Sequence, residues 1–235
     1  MAEAVRKVVV RLPRDRRAEE IEAAAREVFC ELGFEASSTA EIAARAGVAE
    51  GTLYKHFQNK RALLFRVLET WYRSMLADFE SHLAVIHGAR NKIHYIVLRH
   101  LRSLKENADL ARLSYHEVRH SGDYYQSKLY EFNREYTQVF IEACREGMRA
   151  GELRDDVPLG LLRDLVFGGV DHLISGYLFN GRELDVDVAA TNLVALVFNG
   201  IGTPAQEPGV ELLQRFEGLV ERMESSLDGR AEGKR

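Results

Sequence analysis

The stretch His116-Glu117-Val118-Arg119-His120 has the residue types and spacing of a metal-dependent hydrolase. Two histidines four apart share one face of a helix and can hold one metal ion. A glutamate beside the first can act as general base toward a metal-bound water. A zinc-dependent hydrolase or a metal-sensing protein built on His116, Glu117 and His120 is therefore one reading. Catalysis also requires a third ligand and an open coordination position, and spacing nominates no clear third ligand, with Glu131, Glu135 and Glu142 as the alternatives. The plainer reading is two histidines on a pocket wall or at the surface. The chain has no phosphate-cradling glycine loop, no nucleophile elbow and no Cys-x-x-Cys pair. The expectation is a protein that is not an enzyme and needs no cofactor or metal.

A second constellation, residues 38–60, has the chemistry of a DNA reader. Ser38 and Glu41 have capping-box spacing at the start of a short helix. Ile42, Ala43 and Ala46 form its apolar face, and Gly47 stands where the helix must end in a left-handed conformation. Val48 is the buried residue of the turn. The next helix is expected over about 49–57, with Leu53 and Phe57 inward. That leaves Glu50, Gly51, Thr52, Tyr54, Lys55 and His56 on the open side. Gly51 and Thr52 are small enough for a helix N-terminus to approach bases and phosphates. Thr52 suits a thymine methyl, Glu50 can accept from cytosine N4, and Lys55 can donate to guanine. Asn59 caps a further helix, and Lys60 in its first turn opposes the helix dipole but suits a neighbouring phosphate.

The order Thr39, Ile42-Ala43, Ala46-Gly47-Val48, Gly51-Thr52-Leu53-Tyr54, His56-Phe57, Lys60 and Leu63 resembles the N-terminal domain of TetR-family transcriptional regulators. The resemblance extends back to Ile21, Ala25, Phe29 and Gly33-Phe34, covers roughly residues 18–66, and beyond them is one of architecture and length. One departure is visible: Ala49 stands where the family usually has serine. Alanine cannot cap, at a typical cost of about 1 kcal/mol, and offers no hydroxyl to a phosphate. The resemblance implies DNA contacts at Thr39, Glu50, Gly51, Thr52, Tyr54, Lys55, His56 and Lys60. It also implies a homodimer on a palindromic operator and an effector that releases the DNA by shifting the helix after Asn59.

The elements around these residues read as all-α. The 235 residues suffice for one or two domains, and the composition is that of a soluble globular protein. No apolar run spans a bilayer and no signal-peptide pattern opens the chain, so no membrane partner is expected. Cys30 and Cys144 lie far apart within helical patterns, as reduced thiols in the cytoplasm would. The net charge of −4 does not advertise nucleic-acid binding, but Arg6, Lys7, Arg11, Arg14, Arg16 and Arg17 form a local basic excess. The division expected is a basic arm over 1–14, a three-helix helix-turn-helix domain over 15–62 and a larger helical effector-binding and dimerisation domain over 63–202. A docking helix over 203–228 and a disordered tail over 229–235 follow.

Helical periodicity predicts helices over about 15–32, from Asn59 onward, 91–106, 110–120, 124–150, from Pro158 and 186–200. The last two are apolar on nearly every side, which a subunit interface would bury. Leu165, Gly168, Gly169, Leu173, Gly176, Val197 and Phe198 are the candidate interface residues, the glycines permitting close helix contact. Candidate pocket residues are Trp71, Met75, Tyr95, Leu98, Leu101, Tyr115, His116, Arg119, Tyr136, Phe140, Phe167 and His172. Their large aromatic and aliphatic side chains suit a small hydrophobic or aromatic effector, with few polar groups to orient it. The segment Phe167–His172 resembles fatty-acid-responsive members of the family. A fatty acyl thioester is thus one candidate, with Arg102, Lys105, Arg112 and Arg119 facing its phosphates, and a planar aromatic or a hydrophobic drug fits equally well.

Overall fold

The computed structural model describes residues 14–119 and 121–201, and its regular elements are all helical. The expectations for the arm before residue 14, for His120, for the docking helix at 203–228 and for the tail lie outside the described residues.

Three helices build the N-terminal unit. α1 (Arg14–Ala36) buries Ile21, Ala24, Ala25, Val28 and Phe29 on one stripe. It is interrupted at Gly33, whose φ of 79° and ψ of 167° suit glycine. α2 (Thr39–Arg45) begins at Ser38, whose Oγ accepts from the Glu41 amide at 3.1 Å. It ends before Gly47 at φ 66°, and the Val48 amide returns to the Ala43 carbonyl at 2.9 Å. α3 (Glu50–His56) starts without a side-chain cap, because Ala49 has none to give. Arg45 of α2 reaches Glu31 of α1 through two 2.8 Å hydrogen bonds, which hold the Glu31 carboxyl below its usual range.

α4 (Lys60–Leu83), capped by Asn59 through the Ala62 amide at 2.8 Å, runs from this unit into the rest of the molecule. α5 (Ala89–Glu106) lies at the centre of that remainder and packs on α4, α7 (Lys128–Arg149), α8 (Leu159–Asn180) and α9 (Val186–Ile201). α5 begins two residues before the sequence expectation. The Glu152 carboxylate, 63 residues on, accepts from the Ala89 amide at 3.0 and 3.2 Å and favours the positive end of the helix.

Two further differences are instructive. The helix expected over 110–120 is α6 (Ala108–Leu113) followed by a π-helical turn at Ser114–Val118. The wider turn, closed by the Arg119 amide on the Ser114 carbonyl at 2.9 Å, accompanies the approach of Tyr115 and Arg119 to Asp171 of α8. The helix expected to start at Tyr124 starts at Lys128 instead. Ser127 is extended, its Oγ accepts from the Tyr130 amide, and a short 3₁₀ turn at Tyr124–Gln126 precedes it. Hydroxyl side chains that compete for nearby amides end or begin helices in this way.

Candidate functional site

α3 presents Glu50, Gly51, Tyr54 and Lys55 to solvent, with Thr52 and His56 half-buried and Leu53 fully buried beneath them. Thr39, at the start of α2, ties the face together: its hydroxyl donates to Glu50 Oε1 at 2.6 Å and meets the Tyr54 hydroxyl at 3.0 Å. Three expected DNA contacts therefore share one polar cluster across the two helices.

Lys60 turns the other way. Its ammonium donates to the carbonyls of Phe34 at 2.6 Å, Ser37 at 2.9 Å and Glu35 at 3.4 Å, and lies 4.4 Å from the centre of the Phe34 ring. The break at Gly33 leaves carbonyls without helical partners, and a cation at that end is favourable. Sequence spacing gave no hint of this clasp, because it depends on α1 turning back beside the start of α4.

A cleft of about 620 Å³ lies between α1, α4 and α5, with Tyr136 of α7 at its back. Its apolar lining is Ala23, Val67, Trp71, Met75, Phe79 and Tyr136, and its charged lining is Arg26, Arg66 and Arg99 with Glu19, Glu22, Asp78 and Glu106. The volume is that of a small-molecule site. Several ion pairs shape the rim. Arg66 Nε meets Glu22 at 3.0 Å, and Arg99 Nε meets Asp78 at 2.9 Å. Tyr95 also donates to Asp78 at 2.9 Å. Burial pushes the Asp78 carboxyl up, but hydrogen bonds from Arg99 and Tyr95 outweigh it, and the group sits below its usual range. Burial, then Asp78, pushes the Tyr95 hydroxyl up to about 12.

Of the twelve candidate pocket residues, Trp71, Met75 and Tyr136 line this cleft, and Tyr95 reaches its rim through Asp78. Behind Tyr136, Phe140 and Leu101 are fully buried and Phe167 partly so. His100 sits there too, fully buried, its Nδ1 2.8 Å from the Tyr136 hydroxyl. Burial drives its imidazole down to about 4; Asp171 opposes that shift and Arg119 adds to it. Leu98 is half-buried on α5. Tyr115 and Arg119 gather on Asp171, at 2.5 and 2.9 Å, away from the cleft. His116 and His172 are exposed, and His116 meets Phe179 edge-on at 4.9 Å.

The four cations expected at a pocket mouth do not line the cleft. Arg102 pairs with Asp187, Lys105 donates to the Leu184 carbonyl and Arg112 to the Leu178 carbonyl, and Arg119 pairs with Asp171. Their sides of α5 and α6 face α8, α9 and the segment between those two helices. Arg26, Arg66 and Arg99 stand on the cleft instead, brought there from three helices with no common spacing. The contribution of α1 to the wall is the part sequence reasoning missed.

Leu161, Leu165 and Leu196 expose 53, 63 and 70% of their area, and Gly168 lies open beside them, with no atom within 4 Å of where a Cβ would stand. The other candidate interface residues are more enclosed. Gly169 faces Leu193 of α9 within the chain, Gly176 is buried against Arg182, and Leu173, Val197 and Phe198 pack partly on the core. Among the described residues, no group of three histidine, cysteine or acidic side chains is placed to hold a metal ion. Glu131, Glu135 and Glu142 are exposed on α7, and Gln138 and Arg145 hold Glu142.

An open helix-turn-helix joined by one long helix to a helical body with a ligand-sized cleft defines a one-chain transcriptional regulator. The family profile described as "Bacterial regulatory proteins, tetR family" matches residues 21–67, and "YsiA-like protein, C-terminal region" matches residues 69–200. The chain belongs to the TetR family of bacterial regulatory proteins and is a DNA-binding transcriptional regulator. It is 26% identical over 178 residues to the "Fatty acid metabolism regulator protein" of Bacillus subtilis (strain 168), covering 76% of this chain and 92% of that one. It is 24% identical over 182 residues to the "HTH-type transcriptional repressor KstR2" of Rhodococcus jostii (strain RHA1), covering 75% and 87%. The solved structure of FadR from Bacillus subtilis in complex with stearoyl-CoA superposes with a TM-score of 0.70 at 26% identity, covering 78% of this chain and 98% of that one. These relatives are regulators, and nothing in them supports the hydrolase reading of His116, Glu117 and His120.

Proposed function

We propose that this protein is a cytoplasmic, non-enzymatic repressor. It binds a palindromic operator as a homodimer and releases it when an apolar effector with an anionic head enters the α1–α4–α5 cleft. The dimer would form through the exposed apolar face of α8 and α9, which places two copies of α3 on one duplex. Glu50, Thr52 and Lys55 would read bases, while Gly51, Tyr54, His56 and Thr39 approach the backbone. A fatty acyl thioester is the effector class proposed. Val67, Trp71, Met75 and Phe79 would take the chain, while Arg66 and Arg99 would exchange Glu22 and Asp78 for the phosphates. The likeness to a regulator solved with stearoyl-CoA adds support.

The observation that carries this reading is the composition of the cleft wall, one side from the DNA-binding unit and the other from the helical body. A ligand that fits only one spacing of these sides has the differential affinity a switch requires. The test titrates stearoyl-CoA into the purified protein while following Trp71, the sole tryptophan. Release of a duplex selected by the protein from random DNA is followed in parallel. Saturable change in emission together with release is the expected result. Met75→Trp, which fills the cleft, should weaken the response at least about tenfold, as one lost well-packed contact would. If stearoyl-CoA neither moves Trp71 nor releases DNA, the acyl thioester assignment fails.

A further inference from the structure

Four residues on the cleft form one hydrogen-bonded line from the DNA-binding unit to the sole tryptophan. Arg26 of α1 donates through Nη2 to Asn107 Oδ1 at 2.8 Å. Asn107 Nδ2 donates to the Ser103 carbonyl at 2.9 Å. The Ser103 hydroxyl accepts from Trp71 Nε1 at 3.0 Å, a contact buried between α4 and α5. All four residues line the cleft.

Asn107 is the joint of this line. It stands between α5 and α6 with φ −115° and ψ 46°, outside helical geometry. Its amide bonds the Ser103 carbonyl at 3.1 Å, and its own carbonyl accepts from the Ala111 amide at 2.9 Å. With Oδ1 on Arg26 and Nδ2 on Ser103, the side chain engages its acceptor on α1 and one of its donors on α5. A shift of α1 against the end of α5 must therefore alter the Arg26 contact, the Ser103 contact, or both. An occupant of the cleft that moves the Trp71 indole deprives Ser103 of its donor at the other end of the same line.

We infer that Asn107 is a positioning residue that couples the state of the cleft to the orientation of α1, by joining Arg26 to the Ser103–Trp71 pair. The inference rests on the cleft being the effector site. Its test uses DNA in place of an effector, because coupling between two sites is reciprocal in free energy. The competing route runs directly along α4, which carries Trp71 and also meets α1 through Arg66 and Glu22.

The experiment measures Trp71 emission of the full chain with and without a duplex selected by the wild-type protein from random sequence. The wild type should show an emission change at saturating DNA. In Asn107→Ala and Arg26→Ala that change should fall to under about a quarter, with DNA affinity within about threefold. The double variant should show no more than either single one, as members of one line do. Asn107→Asp keeps an acceptor for Arg26 but loses the donor to the Ser103 carbonyl, so its change should be reduced as in Asn107→Ala. Melting temperatures verify folding, and Arg26→Gln on the exposed face of α1 repeats the test if Asn107→Ala does not fold. A wild-type emission change retained in the folded variants assigns coupling to α4 alone and overturns the inference. So does a wild type whose Trp71 ignores DNA. Stearoyl-CoA takes no part, so a failed effector assignment and a failed coupling residue give different results.

Discussion

In the helix-turn-helix, the contacts that set the geometry join residues 3 to 15 apart: Ser38 to Glu41, Thr39 to Glu50 and Tyr54, and Arg45 to Glu31. In the helical body many join residues more than 50 apart. Arg119 meets Asp171, Glu152 caps α5 at Ala89, Lys105 holds the Leu184 carbonyl, and Arg26 reaches from α1 to Asn107. The first region is mostly local, so apart from Lys60 the placement of its side chains follows from a short window of sequence. The second depends on which helices meet, so its cleft is a property of the assembly of helices.

The largest expected effect tests whether the open face of the body is as specific as the reading head. Leu165→Asp combined with Leu196→Asp should yield a monomer by light scattering, and affinity for a palindromic duplex should fall at least about 100-fold, the usual scale of lost bivalency. Both residues are exposed in the chain, so the fold should survive. A dimer with undiminished affinity would remove α8 and α9 from the interface and leave the contrast without its functional half.

An intermediate effect is expected at His100, which exists only because α5, α7 and α8 bury it. Its folded value of about 4 lies below the ordinary 6.5. Above pH 6.5 both states hold a neutral ring. Below it the unfolded chain takes up a proton that the folded one refuses until about pH 4, so stability is lost as pH falls through that window. The loss should approach about 2 kcal/mol by pH 5 and about 3 kcal/mol over the whole window. Urea unfolding at fixed protomer concentration should show it in the wild type and much less in His100→Gln. Equal pH slopes in the two proteins would show that His100 ionises freely.

The smallest effect belongs to the reading head and should stay there. Ser38→Ala should cost about 1 kcal/mol and Ala49→Ser should return about as much, each through a single cap. Hydrogen exchange should register both changes in the amides of α2 and α3, with α5 and α7 unaltered. Equal changes in both regions would mean that the two unfold as one unit, and the contrast would then be topological only.

The sequence alone determined the all-helical fold class, the reading helix from Glu50 to His56, the glycine turn at Gly47 and the apolar character of α8 and α9. Capping, left-handed glycine and 3.6-residue periodicity are rules about neighbours in the chain. It also drew attention to Trp71, Met75 and Tyr136, since large side chains in helical register are the stock from which cavities are built. Tertiary structure alone decided that Lys60 clasps the end of α1, that Arg102, Lys105, Arg112 and Arg119 serve α8, α9 and the segment between them, and that Arg26, Arg66 and Arg99 face the cleft. It also joined Glu152 to the start of α5 and Asp171 to the residues of the π-helical turn and just after it. The physical reason is common to all of these. A charged side chain is held by whichever carbonyl or carboxylate packing brings within about 3 Å, and hydrogen-bond distance in space carries no trace in sequence separation.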